Sequence, residues 1–337
     1  MRLRRRLIGD AAVAEMQTSS GWKRLSGVPS ADAILQQMLH DKAHQNYELA
    51  PKTDDLLPYL QLDADARSAL AGIAHDLPDA NSTPGQPLLP VVPRSFRDFM
   101  LYEKHAIAAA RGMVRRLMPG IFQITRCFEA LTGQPFPKFK PHKLWYRQPI
   151  YYLGNHLTIT TEGSPIPWPS YTGVLDYELE LGAILARPLR NANAEEAAAA
   201  IGGFVVLNDF SARDVQIDEM RSGFGPQKAK HFGSAISTEV VTADEISPDL
   251  ETLTGSVAIN GQRISKISAA GPHFTLPEAI AFASQNEDLF PGELFGSGTW
   301  PGGAGIENGA LVTPGDKLTL TIDTVGSLTN VVSEKGT

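Results

Sequence analysis

Residues 175–181 read Leu-Asp-Tyr-Glu-Leu-Glu-Leu, an alternation of acidic and apolar side chains that is typical of a β-strand. Because strand side chains alternate between two faces, Asp176, Glu178 and Glu180 should share one face, and the apolar residues should pack a core on the other. Carboxylates in a row repel one another unless a cation compensates them. The segment therefore predicts either a solvated outer strand face or a site for a hard divalent cation, which prefers clustered carboxylate oxygens.

Short segments bounded by turn residues surround this strand and predict a β-rich α+β fold. The chain contains 30 glycines and 24 prolines, a high number for an all-helical protein. Asn260-Gly261 predicts a tight hairpin turn. The predicted strands are 150–153, 157–161, 177–185, 204–207, 239–241, 255–259, 311–312 and 318–322, and the predicted helices are 194–200, with Asn193 as its cap, and 276–284.

Composition and charge exclude several classes of protein. The 337 residues are 42% hydrophobic, which is enough for a sizeable core. Lys and Arg number 30 against 37 Asp and Glu, so we expect no nucleic-acid partner. The single cysteine, Cys127, cannot form an internal disulfide and favours a reducing compartment. No apolar run approaches the ~20 residues that cross a bilayer. Since no hydrophobic signal region follows the basic start Met1–Leu7, we expect a cytoplasmic protein without a membrane partner.

The chain divides, on this reading, into a small N-terminal α+β domain with a linker over 1–92 and a larger domain over 93–337. The stretch 76–93 is rich in Pro, Asn, Ser and Gly, which is typical of a linker. In the first part, the strands 4–8 and 13–17 are predicted to form a hairpin. A helix is predicted over 31–39, with Leu35 and Leu39 on one face.

A helix is predicted after the linker. Ser95 and Asp98 have capping-box spacing, helix formers continue to Leu117, and Pro119-Gly120 should end the helix. Asp98 and His105 would then lie two turns apart on one face. Histidine is the usual general base near neutral pH, although a single helical histidine is more often structural.

The segment 204–216 reads as a buried strand that ends at Asp209 and enters a helical turn. Arg213 and Gln216 are three residues apart and should share one helical face. Strand ends are common places for functional sites. By itself, however, the segment is more often an ordinary strand end with a surface arginine.

Two glycine-bounded loops complete the set of candidate segments. Residues 225–233 place Lys230 in a turn, where it offers a positive charge to an anion or is simply solvated. Residues 296–303, with Thr299, form a glycine-rich loop that lets a backbone approach a ligand, and Glu307 follows it. The loop lacks the Gly-Lys-Ser/Thr of a phosphate loop, and the chain lacks the Gly-x-Ser-x-Gly of a serine hydrolase.

Taken in order over residues 93–325, these segments resemble the fumarylacetoacetate hydrolase family. The likeness is to members with an Arg-Asp-Phe…His-Ala helix, here Arg97-Asp98-Phe99 through His105-Ala106. The resemblance implies a mixed β-sandwich roll with a metal site at its open mouth, usually in a homodimer. Two departures concern the substrate: Met100 replaces a family tyrosine, and residues 1–92 do not match the N-terminal barrel of the fumarylacetoacetate-cleaving enzymes.

Matching the motifs residue by residue implies a complete site. The implied ligands of one divalent cation (Mg²⁺, Mn²⁺ or Ca²⁺) are Asp98, Glu178, Glu180 and Asp209. The implied substrate-contacting residues are Tyr152, Arg213, Gln216 and Thr299. The implied catalytic residues are His105, Glu307 and Lys230, with Glu307 orienting His105.

This resemblance implies a hydrolase that cleaves a C–C bond in a 1,3-dicarbonyl or diketo acid, such as an acylpyruvate or fumarylacetoacetate, through a metal-bound enolate. In this hypothesis His105 activates water, while Lys230 and Gln216 stabilise the tetrahedral oxyanion. An alternative is a lyase or isomerase of 2-oxo acids, such as a decarboxylase or hydratase, that uses the same site. A third possibility is a non-catalytic scaffold that binds a metal or a ligand.

Overall fold

A computed structural model describes residues 1–42, 55–80, 85–246 and 248–335, and of residues 38–42 the backbone alone. The strands are β1 (Arg2–Ile8), β2 (Ala11–Thr18), β3 (Gly21–Arg24), β4 (Gln86–Pro87), β5 (Phe96–Phe99), β6 (Tyr151–Gly154), β7 (Ile159–Thr161), β8 (Pro165–Trp168), β9 (Leu175–Asp176), β10 (Leu179–Leu185), β11 (Ile201–Asn208), β12 (Ser211–Ala212), β13 (Ser234–Ile236), β14 (Glu239–Thr242), β15 (Thr254–Ile259), β16 (Gln262–Ser268), β17 (Leu294–Gly296), β18 (Lys317–Ile322) and β19 (Gly326–Lys335). The helices are α1 (Pro29–Lys42), α2 (Leu57–Leu60), α3 (Ala64–Gly72), α4 (Glu103–Leu117), α5 (Pro119–Thr132), α6 (Ala194–Ala200), α7 (Arg213–Ser222), α8 (Leu276–Ala283) and α9 (Gly305–Asn308). The predicted β-rich α+β class is confirmed.

A large mixed sheet forms the centre of the fold, with the order β3-β2-β1-β14-β11-β10-β17-β5-β6, and β4, β7 and β13 pair outside this path. A smaller sheet, β16-β15-β18-β19-β8, lies against one face, and β9 pairs with β12 separately. Strand β11 is buried on both faces. Its Phe204 and Val206 belong to the core shared with the small sheet, whereas Val205 and Leu207 belong to the core on the other side. This explains why β11 reads as a continuous apolar run.

The N-terminal strands are part of the large sheet. Strand β1 pairs with β2 in the predicted hairpin and also with β14, where Leu3 lies opposite Val240. The domain boundary at residue 92 stays a prediction. Of the sequence features assigned to this part, the side chain of Leu39 and residues 81–84 of the expected linker lie outside the described residues.

The helix predicted from Ser95 is wrong in its first two turns. Phe96 and Phe99 are buried in strand β5, which pairs with β17 and β6, and α4 begins only at Glu103. The Ser95 hydroxyl donates to Glu293 instead of capping a helix. Asp98 therefore lies on a strand, and the argument that it shares a helical face with His105 is also wrong.

Other local predictions have mixed outcomes. The Asn260-Gly261 turn joins β15 to β16, and Asn193 caps α6 through a capping box. Pro119 ends α4 as expected but opens α5, because proline is tolerated in the first turn of a helix. The predicted strand at 311–312 is wrong, since neither residue lies in a strand. Among the described helices, none has the length and apolar character to cross a bilayer.

Leu3→Ala should destabilise the whole protein, because Leu3 of β1 is fully buried in the core that also contains Val205 and Leu207 of β11. We expect a loss of ~2–5 kcal/mol in the free energy of unfolding, measured by chemical denaturation. Leu131→Ala is the control. Leu131 is 81% exposed at the end of α5, and its loss should change stability by no more than ~0.5 kcal/mol. Equal effects of the two substitutions would argue against an integral N-terminal hairpin.

Candidate active site

Neighbouring strands of the large sheet bring Asp98 and Glu180 together. Strand β17 pairs with both β5 and β10, and its Gly296 lies opposite Asp98 on one side and Gly182 on the other. A Cβ at position 296 would overlap Asp98 Oδ1 and lie 2.9 Å from Glu180 Oε2. The glycine therefore leaves the space that the two carboxyl groups occupy.

Asp209 joins this pair from the end of β11. The antiparallel pairing of β10 and β11 sets Leu179 opposite Asn208, the last residue of β11. Asp209 follows directly and therefore falls beside the acidic segment. One carboxylate oxygen from each of Asp98, Glu180 and Asp209 lies within 4.8 Å of the others, and all three residues are buried. We call these three residues the carboxylate cluster.

The Asp98–Glu180 half of the cluster carries uncompensated negative charge. Within the described residues, Asp98 Oδ1 and Glu180 Oε2 are buried and receive no hydrogen bond from a donor group. Burial raises the pKa of Asp98 well above its usual range, and Asp209 adds to the rise. Burial likewise raises the pKa of Glu180, with Asp98 as the next cause. Two contacting carboxyl groups in this state need a shared proton or a cation.

Asp209 sits between the two halves of the site. Its Oδ2 accepts hydrogen bonds from Lys230 Nζ at 2.6 Å and from the Tyr152 hydroxyl at 2.7 Å, and its Oδ1 accepts from the Ser234 hydroxyl at 3.0 Å. Burial raises the pKa of Tyr152, and the charge of Asp209 raises it further, so the phenol remains a donor. The pairing of Asp98 with Tyr152 across β5 and β6 explains how this hydroxyl reaches the site.

Glu178 belongs to the positively charged half of the site. Its Oε1 accepts from Arg213 Nη2 at 2.7 Å, and its Oε2 forms an ion pair with Lys230. Burial opposes ionisation of Glu178, but Arg213 and then Lys230 outweigh it and lower its pKa. For Lys230, burial acts to lower the pKa, and the charges of Asp209 and Glu178 reverse this and raise it.

A histidine–glutamate pair stands beside Glu178. His105 Nδ1 lies 2.7 Å from Glu307 Oε1, and Nε2 lies 3.8 Å from Glu178 Oε1. The second oxygen of Glu307 accepts the Gly302 backbone N–H at 2.9 Å, which fixes the carboxylate. His105 comes from the first turn of α4 and Glu307 from α9, and these two helices pack together. A carboxylate bound to Nδ1 leaves Nε2 free to exchange a proton.

The remaining predicted residues also contact this site. The Thr299 hydroxyl donates to Glu180 Oε1 at 3.3 Å. Gln216 Oε1 accepts from Arg213 Nη1 at 2.9 Å, which leaves the Gln216 amide N–H groups as donors. The structure thus brings the eleven predicted residues into one connected set, although Glu178 lies with the cations and outside the carboxylate cluster.

Sequence reasoning missed two members of this set. Ser234, at the start of β13, donates to Asp209, and nothing in its local sequence distinguishes it. Asp176 is fully buried and binds Arg213 through Oδ2. The Asp-x-Glu-x-Glu alternation includes Asp176, but spacing alone does not separate a cation ligand from an arginine partner. The alternation is also not one strand, because β9 ends at Asp176 and β10 begins at Leu179.

The chemistry of the donor set fits a hard divalent cation. Buried carboxylate oxygens without donors are the ligands that Mg²⁺, Mn²⁺ and Ca²⁺ prefer, and Asp98 and Glu180 supply two of them. A cation here would offset the effects of burial and of the neighbouring carboxylates, which together raise the pKa of both groups.

Comparison with known proteins identifies related sequences. A family model described as the C-terminal domain of fumarylacetoacetate (FAA) hydrolase matches residues 121–333. The mitochondrial oxaloacetate tautomerase of Homo sapiens is 30% identical over 158 residues, which cover 47% of this chain and 71% of that protein. The 4-hydroxyphenylacetate degradation bifunctional isomerase/decarboxylase of Escherichia coli is 27% identical over 199 residues, 59% of this chain and 44% of that protein.

Solved structures share the fold along the whole chain. A fumarylacetoacetate hydrolase from Exiguobacterium antarcticum matches with a TM-score of 0.69 and 18% identity, covering 99% of this chain and 100% of that one. The maleylpyruvate hydrolase from Sphingobium sp. SYK-6, in complex with manganese (II) ion and pyruvate, matches with a TM-score of 0.66 and 18% identity over 100% of both chains. These matches confirm the fold expected from the sequence.

Asp98→Asn removes one carboxyl group of the uncompensated pair. In cation-free protein, a raised pKa means that the folded state binds protons that the unfolded state releases. Stability should therefore fall as the pH rises above the ordinary carboxyl range of ~4. We expect the substitution to weaken this fall. At pH 8, with EDTA present, it should raise the melting temperature by ~2–4 °C for each kcal/mol of relieved repulsion, as circular dichroism measures.

The same variant should lose the increase in melting temperature that Mn²⁺ gives to the wild type, since a ligand is missing. Asp10→Asn, at an exposed turn, is the matched control and should change neither quantity. An Asp98→Asn protein that melts lower without cation, or that gains as much from Mn²⁺ as the wild type, would contradict the role assigned to the carboxylate cluster.

Proposed function

Because the chain belongs to the fumarylacetoacetate hydrolase family, we propose that it is a divalent-metal-dependent hydrolase that cleaves a C–C bond in a 1,3-dicarbonyl or diketo acid. The observation that carries this proposal is the pairing of His105 with Glu307, with His105 Nε2 lying 3.8 Å from Glu178 Oε1. Cleavage by water needs a base next to the substrate, and this pair has the arrangement of an oriented general base.

The cation would be held by Asp98, Glu180 and Asp209, with Glu178 as the fourth ligand that the family resemblance implies. When bound, it would supply Lewis-acid polarisation of the substrate oxygens. Asp98 and Glu180 are the groups that most need it, because one buried oxygen of each has no hydrogen-bond partner among the described residues.

In this mechanism His105 removes a proton from water. Glu307 keeps the ring oriented through Nδ1 and stabilises the imidazolium that results, so Nε2 accepts the proton. The hydroxide attacks the distal carbonyl of the substrate, and Lys230 and Gln216 donate to the oxyanion that develops. Each well-placed donor of this kind is worth ~3–4 kcal/mol of transition-state stabilisation. When this oxyanion collapses to a carboxylic acid, the C–C bond breaks, and the leaving carbon takes the proton that His105 holds.

The substrate's acid group would bind on the Arg213 side of the site. Arg213 is a buried guanidinium adjacent to Gln216, and the Tyr152 hydroxyl and Thr299 line the opposite side near Asp209 and Glu180. This surface suits an anionic, oxygen-rich substrate, because the protein supplies N–H and O–H groups around the cation site.

A second candidate is a tautomerase, isomerase or decarboxylase of 2-oxo acids, and the names of the two sequence relatives favour it. Such a reaction moves a proton on carbon or releases carbon dioxide without adding water. His105 would then exchange the proton with the substrate directly. The carboxylate cluster and Lys230 suit both reactions, so the products decide between them. A non-catalytic scaffold has no use for the His105–Glu307 pair.

A screen with Mg²⁺ or Mn²⁺ separates these candidates. Acylpyruvates and oxaloacetate are incubated with the enzyme, and the enol absorbance and the products are recorded. Two carboxylic products from an acylpyruvate support the hydrolase, whereas carbon dioxide or an isomer supports the second candidate. Absence of any cation-dependent turnover would leave only the scaffold. Homodimer formation and a cytoplasmic location stay predictions.

His105→Ala should lower kcat by ~10²–10⁴-fold, since the general base is lost. Binding of Mn²⁺, measured by calorimetry, should persist because His105 is outside the carboxylate cluster. His75→Ala is the control, with a histidine side chain 79% exposed, and should keep wild-type kinetics. If His105→Ala retains turnover, the assignment of the base is wrong.

A further inference from the structure

Asp176 connects two parts of the site without belonging to the carboxylate cluster. Its Oδ2 lies 2.8 Å from Arg213 Nε and 2.7 Å from Arg213 Nη2, and it also accepts the backbone N–H of Ile306 at 3.0 Å. Its Oδ1 accepts the N–H of Tyr177 at 2.9 Å. The carboxylate is fully buried, and both of its oxygens are occupied by donors. It is therefore a partner of donors and not a further cation ligand.

The contact with Ile306 reaches the catalytic pair. Ile306 is the residue before Glu307 in α9, and its N–H lies in the first turn, where a helix offers no internal acceptor. A Cβ on Gly305 would come within 2.6 Å of Asp176 Oδ1, so the approach of α9 to Asp176 depends on a glycine. A Cβ on Gly112 of α4 would overlap the Ile306 carbonyl oxygen on the other side.

Helix α9 is thus held between Asp176 and α4, the helix that carries His105. Asp176 Oδ2 accepts hydrogen bonds both from Arg213 and from Ile306 of α9. The positions of the guanidinium and of Glu307, which α9 carries, therefore depend on the same buried carboxylate. A shift of the Asp176 carboxylate would move both groups together. No other acidic side chain among the described residues contacts both Arg213 and α9.

We propose that Asp176 is a positioning residue that aligns Arg213 with the His105–Glu307 pair. The alignment sets the bound substrate, through its acid group, against the base that acts on it. The kinetic part of this inference rests on the proposed function. The structural part, that Asp176 fixes Glu307 against His105, does not.

Asp176→Asn tests the proposal, with Glu15→Gln as a matched control. Glu15 is another fully buried carboxylate that binds two arginines, Arg4 and Arg6, and it lies in the N-terminal hairpin away from the site. We expect Asp176→Asn to lower kcat/KM by about 10- to 100-fold, with kcat and KM both affected, as for loss of a charge-assisted hydrogen bond. Mn²⁺ affinity should stay close to that of the wild type, because Asp176 is hydrogen-bonded to Arg213, Tyr177 and Ile306 and not to the carboxylate cluster. Glu15→Gln should alter stability only.

A spectroscopic readout is independent of turnover. The ¹H–¹⁵N signal of His105 Nδ1–H, recorded on Mg²⁺-saturated protein, reports its hydrogen bond to Glu307. This signal should shift or disappear in Asp176→Asn and remain unchanged in Glu15→Gln. A change confined to Asp176→Asn supports the positioning role even if no diketo acid is turned over, in which case the proposed function alone fails. An unchanged signal, or wild-type kcat/KM, overturns the proposal.

A second pair of variants leaves Asp176 in place and covers the case in which Asp176→Asn does not fold. Ile306→Pro removes the N–H that Asp176 accepts, at a helix position where proline is tolerated. Ile306→Ala removes comparable side-chain packing but keeps the N–H. The His105 signal should change in Ile306→Pro relative to Ile306→Ala, with kcat about tenfold lower. Identical signals and rates in the two variants would refute the link through Ile306.

Discussion

Repulsion between buried carboxylates is the constraint around which this structure is arranged. Four acidic residues, Asp98, Glu178, Glu180 and Asp209, lie within the interior, where the low dielectric strengthens every uncompensated charge. Lys230 and Arg213 compensate Glu178 and part of Asp209. Asp98 and Glu180 are left with each other. The protein alone neutralises only one half of the site, and the other half defines where a cation belongs.

The large sheet makes this arrangement possible because it is buried on both faces. Strand β11 contributes apolar side chains to two cores, so the end of the strand that carries Asp209 is held rigidly. Gly296 leaves room between β5 and β10 for two carboxyl groups that a side chain at this position would displace. Hydrophobic burial on either side thus offsets the electrostatic cost of the site. The well-packed sheet and the electrostatically unfavourable site therefore result from the same packing arrangement.

Sequence patterns predicted the parts of the site that follow a local alternation or motif. They failed where contacts between distant parts of the chain determine the structure. The alternation around Glu178 and Glu180 indicated clustered acids, and the order of motifs indicated the family. The helix assigned to Ser95 failed because capping-box spacing is short-range, whereas Phe96 and Phe99 gain burial and pairing in the sheet. Asp176 shares the acidic alternation but was left out of the predicted site, because spacing does not reveal its partner, Arg213, which is distant in sequence.

The groups that determine the reaction lie outside the sheet. In the proposed function the carboxylates, Lys230 and Arg213 bind an oxygen-rich anion together with the metal cation, and this chemistry is common to hydrolysis, tautomerisation and decarboxylation. What distinguishes these reactions is whether a base reaches water or substrate carbon, and that depends on α4 and α9. Both helices are set by backbone approaches at Gly112 and Gly305 and by the hydrogen bond from Ile306 to Asp176. We therefore expect small displacements of α4 or α9 to alter the base while the carboxylate cluster stays the same. For this reason we expect the candidate reactions to share the carboxylate cluster and to differ in how His105 and Glu307 meet the substrate.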